Sequence, residues 1–202
     1  MDSSERVAVD EELWNEVDGY IEDALTPADP VLTAALQSST AAGLPEIQVA
    51  PNQGKLLNLL ARLQSARSIL EIGTLGGYST IWLARALPKD GRLITLELDP
   101  KHAEVARKNV ERAGLSGIVE VKLGAALETL PTLAAEKRGP FDLIFIDADK
   151  ANIPEYFTWS LKMSRPGTLI LVDNVVRGGA VIESDSQDES VRGVRKLFAM
   201  LA

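Results

Sequence analysis

Two apolar runs in this sequence end in oxygen-bearing side chains, and those ends could do chemistry. Phe141-Asp142-Leu143-Ile144-Phe145-Ile146-Asp147 leads into Ala148-Asp149-Lys150, and Pro166-Gly167-Thr168-Leu169-Ile170-Leu171-Val172 leads into Asp173-Asn174. Read as strands lying side by side, the two runs would be ~4.8 Å apart. Asp147 and the pair Asp173-Asn174 could then surround one cation. Two carboxylates and an amide oxygen form a hard donor set, suited to Mg²⁺ (or Mn²⁺ or Ca²⁺) with water or substrate completing the shell. A single acid at a strand end usually caps a loop; two of them with an adjacent asparagine favour the metal. Lys150 follows Asp147 closely. Alone it would read as a solvated surface charge, but a lysine beside a cation gives up its proton more readily than one in water. Lys150 is therefore a candidate general base, and a hydroxyl held at the cation would become an oxyanion nucleophile.

A second cluster suits a nucleoside. Glu71-Ile72 runs into Gly73-Thr74-Leu75-Gly76-Gly77-Tyr78-Ser79. Glycine lets the chain turn tightly and approach a ligand closely, although a glycine-rich turn by itself can be a plain loop. Its spacing is not the G-x-G-x-x-G of dinucleotide-binding turns. Further on comes Leu96-Glu97-Leu98-Asp99-Pro100. An acid at the end of a second strand can accept two hydrogen bonds from a ribose diol. Asp99, before a proline, reads as a helix N-cap; Glu97 lacks such a local role and is assigned to the ribose.

These residues need a scaffold that brings them together. Apolar runs at Ser68–Ile72, Arg92–Glu97, Ile118–Lys122, Phe141–Asp147 and Thr168–Val172 read as strands. Helical stretches intervene at Gly77–Leu87, Pro100–Ala113, Ala125–Glu136 and Asn152–Met163. Alternation of this kind predicts an α/β fold, a Rossmann-like doubly wound and mostly parallel sheet with helices on both faces. Ligands of such sheets sit at the carboxyl ends of the strands, near the switch in strand order. Residues 1–66 read as N-terminal helices. Leu13, Val17, Tyr20, Ile21, Ala24 and Leu25 recur at helical spacing, the segment Thr26–Pro30 breaks the helix, Asp29-Pro30 starts another, and Leu56, Leu57, Leu60 and Leu63 mark one after Pro51. Residues 67–202 would form the core of the same single domain, with Val191–Ala202 a last helix.

Composition narrows the classes. The chain has 202 residues, 46% of them hydrophobic and 25% charged, an ordinary globular balance. Cysteine is absent and His102 is the only histidine, which removes disulfides, thiolate metal sites, Cys nucleophiles and multi-His sites. The net charge of −8 argues against nucleic acid or an anionic membrane as partner. No apolar run approaches the ~20 residues of a membrane span, and the acidic start reads as neither signal nor transit peptide. The expectation is a soluble, cytoplasmic protein.

The nucleoside cluster, Glu71-x-Gly73-x-x-x-Gly77-Tyr78-Ser79 with Glu97 and Gly124-Ala125, resembles class I S-adenosylmethionine methyltransferases. Asp147-Ala148-Asp149-Lys150-Ala151-Asn152 and Val172-Asp173-Asn174 narrow this. They resemble the cation-dependent caffeoyl-CoA and catechol O-methyltransferase family, including its small bacterial members, with similarity from Ile47 to Gly179. The resemblance implies S-adenosylmethionine as cofactor, with contacts at Val49, Glu71, Gly73, Ser79, Glu97, Ala126 and Asp147. It implies a divalent metal on Asp147, Asp173 and Asn174, Lys150 as general base, and a small hydroxylated aromatic acceptor, catechol-like or phenylpropanoid-like. The stretch Arg177–Glu189 matches a variable substrate loop. Two departures stand out: Ile153 replaces an aromatic residue common in the family, which would alter the substrate pocket, and Ala126 replaces a hydrogen-bonding side chain of some members, leaving adenine to backbone and packing.

Relatives continue with an antiparallel strand hairpin beside the fifth strand, absent from this sequence. Strand five would then be an apolar edge, completed by further chain or by another subunit; a homodimer is the expected assembly. Two rival readings remain. A nicotinamide-dependent oxidoreductase would share the fold and the strand-two acid but leaves Asp147, Lys150, Asp173 and Asn174 unexplained. A noncatalytic binding protein could occupy the same fold.

Overall fold

The computed structural model describes residues 3–26 and 28–202, with side chains from Leu13 onward. Pro27, part of the expected helix break, lies outside the described residues. Helix α1 (Ser3–Leu25), α2 (Pro30–Ala41) and α3 (Pro51–Leu63) precede the first strand. Asp29 caps α2, its Oδ1 accepting from the Val31 and Leu32 amides at 2.9 and 3.1 Å, and Pro30 fills the first helical position, where no amide donor is needed.

The chain then alternates: β1 (Ser68–Ile72), α4 (Tyr78–Ala84), β2 (Arg92–Glu97), α5 (Pro100–Arg112), β3 (Val119–Leu123), α6 (Ala126–Ala135), β4 (Leu143–Ile146), α7 (Ile153–Lys162) and β5 (Leu169–Val172). A 3₁₀ segment over Arg177–Ile182 leads to α8 (Glu189–Leu201). The strands form one sheet in the order β3-β2-β1-β4-β5, and every pairing is parallel. Strand order reverses between β1 and β4, so the switch point falls where Gly73 and Asp147 leave the sheet. As expected from the apolar runs, both faces are covered. Leu70, Ile72, Ile94, Leu96, Ile144 and Ile146 pack with α6, α7 and α8. Ile69, Leu93, Leu143 and Phe145 pack with α2, α3 and α4 on the other side. The split is the period-two alternation of strand side chains.

The differences from expectation are at the ends of elements. Strand β4 begins at Leu143 rather than Phe141, because Asp142 is turned to β1: its Oδ2 accepts from the Arg67 and Ser68 amides at 2.9 and 3.1 Å. Strand β3 sits one residue later than the apolar pattern placed it. Helix α4 stops at Ala84, not Leu87; the Ala86 and Leu87 amides bond three residues back instead of four, a tightening typical of helix ends, ahead of Pro88. Ile153 is fully buried in the core and does not line the cavity described below. Among the described residues no helix is long and apolar enough to cross a membrane, and β5, paired only with β4, is an edge strand.

Candidate active site

The sheet ladder carries the site residues to one edge. The Gly73 amide donates to the Leu96 carbonyl, Asp147 to Ile72, Asp173 to Ile146 and Gly124 to Glu97, all at 2.8–3.0 Å. Four loops therefore leave the sheet at one level, and above them lies a cavity of about 720 Å³, of a size that suits a cofactor with a small ligand. Val49, Gly73, Ser79, Glu97, Ala126, Asp147, Lys150 and Asn174 all line it. Of the residues expected to hold cofactor or metal or to act as base, Glu71 and Asp173 do not.

Gly73 is where β1 meets β4. Its φ is +99°, and a Cβ there would lie 2.0 Å from the Asp147 carbonyl oxygen. Only glycine permits this approach. The turn beyond is fixed from two sides. Buried Asn109 on α5 donates to the Gly76 carbonyl at 2.8 Å. Glu97 accepts from the Thr74 and Leu75 amides at 3.2 and 2.7 Å, and its other oxygen from the Asp99 amide at 2.9 Å. The reading of Glu97 as free of any local role is thus corrected: it organises the glycine-rich turn as well as facing the cavity. Asp99 is the cap expected of it, accepting from the Lys101 and His102 amides. His102 places Nδ1 3.7 Å from Glu97.

Glu71 lies under the turn, on the α2–α4 side of the sheet. It is fully buried and accepts from Ser79 Oγ at 2.6 Å and from Thr80 Oγ1. Burial pushes its carboxyl up to about 7, against the opposing effect of those hydroxyls. Glu71 therefore acts on the cavity through Ser79 rather than as part of its wall.

At the β4–β5 end, Asp147 Oδ1 takes a 2.8 Å contact from Lys150 Nζ, and Lys150 is buried rather than solvated. The loop carrying Lys150 is braced by Asp149, whose oxygens accept from the Asn152 amide and Nδ2 at 3.2 and 2.7 Å and from the Tyr156 hydroxyl. Burial and the adjacent Asp149 carboxylate raise the Tyr156 phenol above its ordinary range, so it stays a donor.

Asp173 stands beside Asp147, one step past the paired residues Ile146 and Val172. Its Oδ2 accepts from Gln53 Nε2 at 2.6 Å and its Oδ1 from the Asn174 amide. Asn174 has φ +55°, a left-handed conformation asparagine tolerates better than most residues. Among the described residues no three His, Cys, Asp or Glu side chains converge on one point; the candidate set is two carboxylates and an amide. Asp147 Oδ2 and the Asn174 side chain bond to no described residue, leaving hard oxygen donors uncommitted on adjacent strand ends, which fits a divalent cation.

Gln53, Asp149 and Tyr156 are not among the site residues expected from the sequence, and Arg177 enters there only as the first residue of a variable substrate loop. Asp149 lies on the loop ahead of α7, so no helical spacing pairs it with Tyr156. Gln53, 120 positions from Asp173, leaves no local signal.

The sequence pattern of the O-methyltransferase family matches residues 24–202. A catechol O-methyltransferase of Niastella koreensis is 57% identical, the match covering 94% of this chain and 86% of the relative. One of Mycobacterium tuberculosis is 52% identical over 92% and 83%. Among solved structures, an O-methyltransferase from Bacillus cereus in complex with SAH superposes with a TM-score of 0.92 at 56% identity, covering 94% of this chain and 86% of that one. The O-methyltransferase TomG from Streptomyces achromogenes, in complex with SAM, superposes with a TM-score of 0.90 at 51% identity, over 100% and 87%.

Proposed function

The chain belongs to the O-methyltransferase family, and from that premise we propose that it transfers a methyl group from S-adenosylmethionine to one hydroxyl of a small catechol-like or phenylpropanoid-like acceptor, with a divalent metal, Mg²⁺ or Mn²⁺, required for turnover. The observation that carries the reading is one cavity lined at once by the glycine-rich turn with Glu97 and by Asp147, Lys150 and Asn174.

S-adenosylmethionine supplies an electrophilic methyl group, and a divalent cation makes a bound hydroxyl more acidic and offsets the charge it develops. The remaining work falls to side chains. Asp147, Asp173 and Asn174 would hold the cation. Glu97 faces the ribose, but a carboxylate has about four acceptor sites and Glu97 already uses three on the Thr74, Leu75 and Asp99 amides. It therefore has room for one ribose hydroxyl unless an amide is released. Ser79, committed as donor to Glu71, presents lone pairs to the cavity and so suits an ammonium group. Ala126 offers only a methyl and backbone, leaving the base to packing. Lys150, shielded from water and braced through Asp149, would take the proton of the acceptor hydroxyl as general base. Transfer is then a direct displacement, favoured by holding the two reactants in line. The setting proposed is the cytoplasm, and the assembly a homodimer.

The test is methyl transfer read by mass spectrometry across catechols, flavonoids and coenzyme A esters. Activity should vanish with excess chelator and return with Mg²⁺ or Mn²⁺. Full turnover in chelator removes the metal from the reading; no product from any hydroxylated aromatic removes the acceptor class.

A further inference from the structure

The cavity wall carries a cation that no described residue neutralises. Its basic lining residues are Lys150, His102 and Arg177. Lys150 is ion-paired with Asp147 and His102 faces Glu97. Arg177 makes no ion pair or hydrogen bond with any described residue, and its Nε is shut off from solvent without a partner. An atom so enclosed is out of a ligand's reach; the donors left for one are the guanidinium's two terminal nitrogens, which are not enclosed and bond to no described residue.

Arg177 is also held in place. Its φ is +53°, a conformation uncommon for a long side chain and kept only where the surroundings impose it. The surroundings are visible: Val175 and Val181 pack on the core, and Arg195 of α8 donates to the Val181 carbonyl at 2.8 Å. The segment sits just past Asn174, and Arg177 and Asn174 line the same cavity, which puts Arg177 at the end assigned to the acceptor. A guanidinium offers five donors and no acceptor, in a planar fork that matches an oxyanion.

We infer that Arg177 selects the acceptor by binding a carboxylate on it, so that the preferred substrate is a catechol bearing a carboxylate rather than a neutral catechol. The inference rests on the O-methyl transfer proposed above. One other carboxylate could claim Arg177, that of the methionine end of the cofactor, and the experiment separates the two.

Protein loaded with SAH and Mg²⁺ is titrated calorimetrically with 3,4-dihydroxybenzoate and with 3,4-dihydroxybenzamide, which differ at the anionic group alone; methyl transfer to each is followed by mass spectrometry. Wild type should favour the acid by ~10–100-fold in affinity and in kcat/KM, the range of a charge-assisted hydrogen-bonded pair. In Arg177→Gln that ratio should fall to about twofold or less, whatever happens to absolute rates. Arg177→Lys should lie between, keeping the charge without the fork. SAH affinity should be the same in all three proteins. Equal binding of acid and amide by wild type overturns the inference, as does a loss of SAH affinity in Arg177→Gln matching the loss for the acid, which would give Arg177 to the cofactor. A binding preference that disappears in Arg177→Gln without methyl transfer to either compound upholds Arg177 as the carboxylate site and overturns the proposed function instead.

Discussion

Gln53 Nε2 donates to Asp173 Oδ2 at 2.6 Å, tying the first turn of α3 to the end of β5. The contact leaves the carboxylate one direction in which to turn its remaining lone pairs. Groups that orient a metal ligand in this way usually contribute 10–100-fold to affinity. Gln53→Ala should therefore weaken Mn²⁺ binding by about that factor, read by the electron paramagnetic resonance of free Mn²⁺ on SAH-loaded protein, with little change in melting temperature. Unaltered Mn²⁺ affinity would show that Asp173 needs no such support or is not a ligand.

Glu97 and Asp99 are neighbours with separable tasks. Glu97→Ala should weaken S-adenosylmethionine binding by ~1–3 kcal/mol, the cost of losing hydrogen bonds to a charged group. It should also lower the melting temperature, because the Thr74 and Leu75 amides lose their acceptor. Asp99→Ala should lower the melting temperature through the lost α5 cap and leave cofactor affinity unchanged. Calorimetry and thermal unfolding of both variants decide the matter; exchanged effects would reverse the two assignments.

The ease of reading differed with the range of the interaction. The strands were visible because each apolar run ends where a polar residue must leave the sheet, so Asp147, Asp173 and Glu97 fell at predictable places. Asp29 and Asp99 were visible as caps because a helix start is local and the following proline marks it. Glu97's grip on Thr74 and Leu75 spans 23 and 22 positions and exists only because β1 and β2 are paired. The family resemblance implied Glu71 as a cofactor contact, but strand alternation points it away from the cavity, into the layer under the turn. Gln53 depends on packing between distant elements, which no spacing rule records, and Arg177 was legible only as the start of a variable loop.

Glu71 makes stability depend on pH. Its carboxyl titrates near 4.5 when unfolded and about 7 when folded, so the folded state binds the proton more tightly. The group's stabilisation is complete below pH 4.5, is lost as pH rises toward 7, and changes no further above that. The full difference would be about 3 kcal/mol at 1.36 kcal/mol per pH unit. Glu71→Gln, which stays neutral, should lack this slope. Urea unfolding of both proteins between pH 4.5 and 8 should show the variant gaining on wild type as pH increases. Parallel curves would mean that Glu71 is ionised in the folded protein.

Lys150 has two roles open to it, and acceptor acidity separates them. As the base at the acceptor hydroxyl it should be worth ~10²–10⁴-fold in the rate of methyl transfer, so Lys150→Ala should lose activity in that range. As a mere counter-charge to Asp147, 2.8 Å away, it would matter equally for every acceptor. Removal of a base matters less when the hydroxyl releases its proton easily. The loss in Lys150→Ala should therefore shrink from a simple catechol to a nitro-substituted one, whose hydroxyl is far more acidic. Affinity for S-adenosylmethionine should stay near that of wild type, because the sulfonium is itself a cation and gains nothing from another one nearby. Rates of wild type and variant across a graded set of substituted catechols give the answer. A deficit that is constant along the series leaves Lys150 as the partner of Asp147 and takes it out of the proton transfer.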